Sequence, residues 1–355
     1  MKNLQQPLKQ VCALLLAMPL LIASSIAQGN DFPTAAPEDV GVSSERLQRL
    51  SNTMQRYIDS NMLAGTVSLV SRNGKVIHVE SQGWKNKEND EPMTDDSIFV
   101  IMSMTKPIVS TALMMLYEEG NFLLTDPITD WIPELEGKQV VIEENGINYR
   151  MSAHRPITFR HVLSHTAGVD PSREVLSEEE LTLLPRKATL EETIINRAPL
   201  PLSFHPGDDW QYGSSTDYVA LLVERISGQS LVDYLQEKIL DPLKMHDTSY
   251  IVPKDKVDRV AAVYSPSGPN QTIKLFRETE YRQTTYFGGV AGLSSTVSDY
   301  WRFSQMLLNG GELDGVRLLS PKTVNLMISN HSGENDVYIR GPGYTFGLGF
   351  GLVND

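Results

Sequence analysis

The chain has 355 residues, 41% of them hydrophobic and 21% charged, the composition of a soluble globular protein built as one large domain or two. Its formal net charge of −13 argues against nucleic acid and anionic membrane surfaces as partners. Cys12, its one cysteine, falls inside the N-terminal segment described next, so the remainder has no disulfide, thiol nucleophile or thiolate metal site.

That N-terminal segment reads as a secretory signal. Lys2 and Lys9 supply a positive start, and Val11 to Ile22 is an apolar run too short to span a bilayer comfortably. Ser25-Ile26-Ala27 is a small-x-small cleavage site. The pattern predicts a signal peptide over 1–27, a mature chain from Gln28, and export to the periplasm or the medium, with no other membrane segment.

Residues 28–42 form a leader bearing Pro and Asp. Ser44 then begins a helix marked by Leu47, Leu50, Met54, Tyr57 and Ile58 at helical spacing. Val67–Val70 and Lys75–Val79 flank Asn73-Gly74 and read as a hairpin on a type I′ turn. Ile98 to Met102 is strand-like, and Ile108 to Tyr117 is a helical run stopped by Gly120. From about 140 to 285 the signals are mostly helical. They comprise a short piece over Thr158–Ser164, a capping box at Thr189 and Glu192, a face of Val219, Leu222, Val223 and Ile226 ending at Gly228, and a cap at Ser230 with Asp233. Phe287 to Leu293 is a glycine-rich, strand-like piece without the context of a phosphate loop, so it reads as close backbone packing. Tyr300, Phe303 and Leu307 mark a helix ending at Gly310-Gly311, Ser320-Pro321 opens another, and Gly343 to Val353 reads as a strand. This order predicts an α+β chain. An antiparallel sheet flanked by helices comes from about 38–138 and 286–355, and an all-helical lobe over about 139–285 is inserted between them.

Ser103-Met104-Thr105-Lys106 stands where the strand-like run meets the helix. Residues three apart share a helix face, so the Ser103 hydroxyl would lie beside the Lys106 amine. Serine needs a neighbouring base to act as a nucleophile, and a desolvated lysine can be that base. The helix N-terminus points N–H groups at the same spot, where an oxyanion could form. The plainer alternative is a serine N-cap. Tyr212, in Pro206-Gly207-Asp208-Asp209-Trp210-Gln211-Tyr212-Gly213-Ser214, precedes the Val219 helix; taken alone it reads as a packed core ring. His161 and His165 have a metal-ligand spacing, but Val162 stands where a zinc hydrolase of the His-Glu-x-x-His type has Glu. The Gly-x-Ser-x-Gly elbow of an α/β-hydrolase is absent from the sequence.

Taken in order, Ser-x-x-Lys at 103, His-Thr-x-Gly at 165, Pro-Gly-x-x-Trp-x-Tyr-x-Ser at 206 and Gly-Gly-x-x-Gly-Leu at 288 resemble the serine β-lactamase and penicillin-binding-protein-like family. The esterase-like members related to class C β-lactamases are the most similar, over about residue 38 to the end. The resemblance implies a β-lactamase-like fold and a serine hydrolase without cofactor or metal. Ser103 would be its acylated nucleophile, Lys106 and Tyr212 its bases, and a small ester or amide its substrate. Ser214, implied as a substrate-binding residue, stands where lactamases and peptidases of the family carry an Asn that contacts the substrate amide, which favours esters. The family's third motif, on a strand lining the site, has no candidate, although Gly347 to Phe350 resembles the stretch just before it; the sequence is expected to stop short of that strand. A class C-type β-lactamase, a D-Ala-D-Ala peptidase and a non-catalytic binding or sensing member of the fold are the alternatives.

Overall fold

A computed structural model describes residues 32–267, 272–277, 284–339 and 341–353. The predicted signal segment over 1–27 lies outside them. Helix α1 (Ser44–Asp59) forms where the apolar spacing places it, and the Ser43 hydroxyl caps it by accepting the Arg46 N–H. Strands β1 (Gly65–Arg72) and β2 (Lys75–Asn86) form the expected hairpin. Asn73 and Gly74 both take positive φ, 54° and 73°, as a type I′ turn requires. β3 (Glu91–Pro92) joins β2 on its far side, which leaves β1 at the edge of the sheet.

The strand expected over 98–102 is short, with only Phe99–Val100 (β4) extended. The chain then winds through a 3-10 turn, Met102–Met104, directly into α2 (Thr105–Glu118). Pro107 sits in the first turn of α2, where the missing N–H costs no helical hydrogen bond.

The segment expected to be all helical carries α3 (Phe159–Leu163), α4 (Glu178–Leu181), α5 (Leu190–Arg197), α6 (Ser215–Ser227) and α7 (Leu231–Leu235). It also carries two antiparallel hairpins, β5 (Gln139–Glu144) with β6 (Ile147–Ser152) and β7 (Val263–Ser267) with β8 (Thr272–Arg277). The first turns on Asn145-Gly146, both at positive φ, the same signal that makes the β1–β2 turn. The capping boxes at Thr189 and Ser177 and the Ser230 cap are formed.

Beyond residue 285 come β9 (Ser294–Ser295), which pairs with β4, and α8 (Val297–Leu308). β10 (Glu312–Leu313), β11 (Val316–Arg317) and α9 (Pro321–Met327) follow. The piece from Phe287 to Leu293 is an irregular loop, not a strand. The expected strand over 343–353 is a small hairpin of β12 (Tyr344–Phe346) and β13 (Gly351–Val353). Its glycine loop presses on α2 so closely that a Cβ on Gly349 would lie 2.4 Å from Ser110 Oγ.

Helix α2 is the centre of the core. Ile108, Val109, Ala112, Leu113 and Met114 are each fully buried, and they occupy nearly all sides of the helix. A helix apolar all round must be covered all round; α2 packs against α6 and α7, and the described residues from Pro33 onward cluster as one compact unit.

Candidate active site

Three segments meet at the foot of α2: the 3-10 turn itself, the irregular chain before α6, and the loop before β9. The turn starts from strained backbone. Met102, next to Ser103, has φ of 46°, a left-handed value that costs energy in a residue with a Cβ. Backbone bonds hold it there, from Ile101 N–H to the Leu293 carbonyl (3.0 Å) and from Met104 N–H to the Ile101 carbonyl (2.9 Å). Ser103 is exposed, whereas Lys106 is only 4% exposed. The Lys106 amine donates to Ser103 Oγ at 3.1 Å and to the Val290 carbonyl at 3.0 Å. It also lies 4.6 Å from the centroid of the Tyr212 ring, over its face. The structure thus brings Ser103, Lys106 and Tyr212 together, although 106 residues separate Lys106 from Tyr212 in sequence.

The loop before β9 is what holds Lys106 from the other side. Asp217, buried in the first turn of α6, accepts the Val290 N–H at 3.1 Å and the Tyr286 hydroxyl at 2.8 Å. The Tyr250 hydroxyl donates to the Gly288 carbonyl at 2.7 Å. The Gly-Gly pair is required by the closeness of this contact, since a Cβ on Gly289 would stand 2.0 Å from the Thr216 carbonyl oxygen. Close backbone packing, the reading given to this stretch, therefore has a definite object: it sets the carbonyl that steadies the lysine.

His165 supports Tyr212 from beneath. Their ring centroids are 5.0 Å apart at an interplanar angle of 30°, and Phe346 stands edge-on to His165 at 5.1 Å. Burial, helped by the Lys106 charge, pushes the His165 pKa down to about 3, so the imidazole is neutral at working pH. His161 serves α3 instead; its Nδ1 accepts the Thr158 N–H at 3.1 Å, completing a capping box. Because His165 lies past the end of α3 with φ of 62°, the two histidines do not share a helix face. Among the described residues no cluster of three or more His, Cys, Asp or Glu is placed to hold a metal ion.

Ser214 is placed differently from the sequence expectation of a substrate contact. Its hydroxyl donates to Asp170 Oδ1 at 2.6 Å and its N–H to Asp170 Oδ2 at 2.7 Å. The reason is steric: Gly213 has no side chain, so the Asp170 carboxylate can close on this loop. Sequence reasoning missed Asp170 and Asp217 because each reads as an ordinary polar residue, one in a turn and one in a first helical turn. Among the described residues no strand pairs with the outer edge of β1. That edge borders a groove of about 550 Å³ lined also by Ile101, Met104, Tyr300 and Trp301.

A family model described as beta-lactamase matches residues 50–355. An uncharacterised protein of Mycobacterium tuberculosis is 31% identical over 306 residues, spanning 84% of this chain and 76% of its own. Esterase EstB of Burkholderia gladioli is 26% identical over 333 residues, spanning 86% of this chain and 80% of its own. The solved structure of EstCE1, described as a hydrolase with promiscuous acyltransferase activity, matches with a TM-score of 0.73 at 24% identity, over 87% of this chain and 83% of that one. At that identity the likeness speaks to the fold, and the fold is β-lactamase-like. The chain therefore belongs to the beta-lactamase family, as an esterase-like serine hydrolase.

Proposed function

We propose that the protein is an exported hydrolase of small esters that works through an acyl-enzyme on Ser103. The observation that carries this reading is an exposed serine hydroxyl 3.1 Å from a buried lysine amine. The Lys106–Tyr212 pair takes the proton of Ser103 Oγ as the oxygen attacks the acyl carbon. The ester C–O bond breaks, and the leaving alcohol takes a proton from the Lys106–Tyr212 pair. Water then attacks the acyl-enzyme and gives its proton to the same pair. The carboxylic acid departs and Ser103 regains its proton.

The preference for esters is supported by position 214 and by the likeness to EstB. With both Ser214 donors taken by Asp170, that position has little to offer a substrate's side-chain amide. A substrate amide left unpaired costs about 1–3 kcal/mol, roughly 5- to 150-fold in kcat/KM. A simple ester carries no such group. The test compares kcat/KM for p-nitrophenyl butyrate and nitrocefin on the same preparation. Higher kcat/KM for the ester is expected. Higher kcat/KM for nitrocefin would replace the esterase reading with a lactamase one, and turnover of neither would favour a non-catalytic member of the fold.

A further inference from the structure

Tyr212 belongs to no helix or strand, so its own backbone does not fix where the ring lies. A group that moves a proton must be held closely, since a displacement of about 1 Å can cost about 100-fold in rate. The irregular chain around Tyr212 is fastened on both sides by one residue, Asp170, from the turn after α3. Upstream of the tyrosine, the Asp170 backbone carbonyl accepts Gln211 Nε2 at 2.8 Å and Ser203 Oγ at 2.8 Å. Downstream, the Asp170 carboxylate accepts the Ser214 N–H at 2.7 Å and the Ser214 hydroxyl at 2.6 Å. Between these anchors lies Gly213, where any Cβ would stand 2.1 Å from Asp170 Oδ2. The Gln211 N–H is tied as well, to the His165 carbonyl at 2.9 Å, so the same turn that supplies the stacked imidazole also supplies the clamp.

Hydrogen bonds to an ionised acceptor are about twice as strong as neutral ones. Here two of them converge on one residue two places past the tyrosine. The Asp170 carboxylate accepts from the neutral donors of Ser214, and among the described residues no ion pair includes it. The carboxylate also stands where α6 begins, at the end of the helix that favours negative charge.

We propose that Asp170 is the positioning residue for Tyr212, clamping its loop on both sides so that the ring lies against Lys106 and on His165. In this role Asp170 acts through Tyr212, not on the substrate. Ser214 becomes part of the clamp, which accounts for a serine at that position. The proposal rests on Ser103, Lys106 and Tyr212 being the reacting groups.

The test measures p-nitrophenyl butyrate turnover by Asp170→Ala, Asp170→Asn and Ser214→Ala, each alone and combined with Tyr212→Phe. Asp170→Ala is expected to lower kcat about 10- to 100-fold with KM within about threefold. Asp170→Asn should recover most of the loss, because its shape is retained and its amide can still accept one Ser214 donor and offer another. Ser214→Ala, which removes one of the two carboxylate bonds, should lose about three- to tenfold. With Tyr212→Phe the loop no longer carries a hydroxyl, so all three losses should shrink to about threefold or less. Unchanged kcat in Asp170→Ala, or an equal loss with and without the Tyr212 hydroxyl, would overturn the proposal. If Asp170→Ala does not fold, Ser214→Ala decides by the same two criteria. If the parent turns over no ester, the proposed function fails, and amide hydrogen exchange still reads the clamp. Exchange at 211–214 should be protected in the parent and at least about tenfold faster in Asp170→Ala; equal exchange would refute the clamp.

Discussion

Helices α2 and α6 both begin at the site, and they present their chemistry in opposite ways. α2 carries it in its own lead-in turn and first turn, with Ser103 and Lys106 three residues apart and the amine bonded back to the hydroxyl. α6 carries it ahead of the helix, with Tyr212 in irregular chain that is held by Asp170, His165 and the C-terminal hairpin. The first arrangement follows from helix geometry once the buried face of α2 is fixed. The second exists only after distant segments have packed. Changes at the foot of α2 should therefore abolish function outright, and changes to the residues that hold Tyr212 should erode it by degrees.

The largest effect belongs to the foot of α2. Ser103→Ala should lower turnover of an activated ester at least about 10³-fold and leave the melting transition in place, because the side chain is exposed. Full activity in this variant would remove the foot of α2 from the chemistry. Next comes the contact between the two regions. Lys106→Ala and Tyr212→Phe should each cost about 10²- to 10⁴-fold in kcat, and the double variant should fall no more than about tenfold below the worse single one. Losses that multiply would mean that lysine and tyrosine act separately.

The smallest effect is on stability and comes from the histidines. His165 is held down to about 3 by burial and then the Lys106 charge, and His161 to about 4 by burial and then Arg155. In the unfolded chain both return to about 6.5. Between those values the unfolded chain binds protons that the folded one refuses, so stability is complete above pH 6.5 or so and is lost as pH falls toward 4. His165→Asn keeps a residue that tolerates the left-handed backbone but does not titrate. Its Tm should fall less than the parent's between about pH 7 and pH 4.5. An identical slope would contradict the neutral, buried state of His165.

The same contrast accounts for what could be read from the sequence. Ser103 with Lys106, the capped helices and the Asn73-Gly74 hairpin are local patterns, set within a few residues. The hairpin at Asn145-Gly146 was open to the same argument, since Ile147, Tyr149 and Met151 alternate with polar residues in β6; those side chains are exposed, so the hairpin stands out from the buried helical signals around it. The loop from Phe287 to Leu293 looked like a strand because every residue in it is glycine or apolar; its form is set instead by Asp217, Tyr250 and Thr105, which lie far off in sequence. Ser214 was read through its chain neighbour Tyr212, whereas its partner is Asp170, 44 residues upstream. Nothing local in the Asp170 turn marks it as belonging to the Tyr212 loop.

The central claim is that Ser103 becomes acylated, and covalent labelling tests it most directly. The protein is treated with a fluorophosphonate, in which attack by a serine oxygen forms an O–P bond and expels fluoride, and the adduct is mapped by peptide mass. A single adduct on Ser103, lost in Ser103→Ala, is the expected result. An adduct on another residue, or ester turnover that persists with Ser103 unlabelled, would contradict the account.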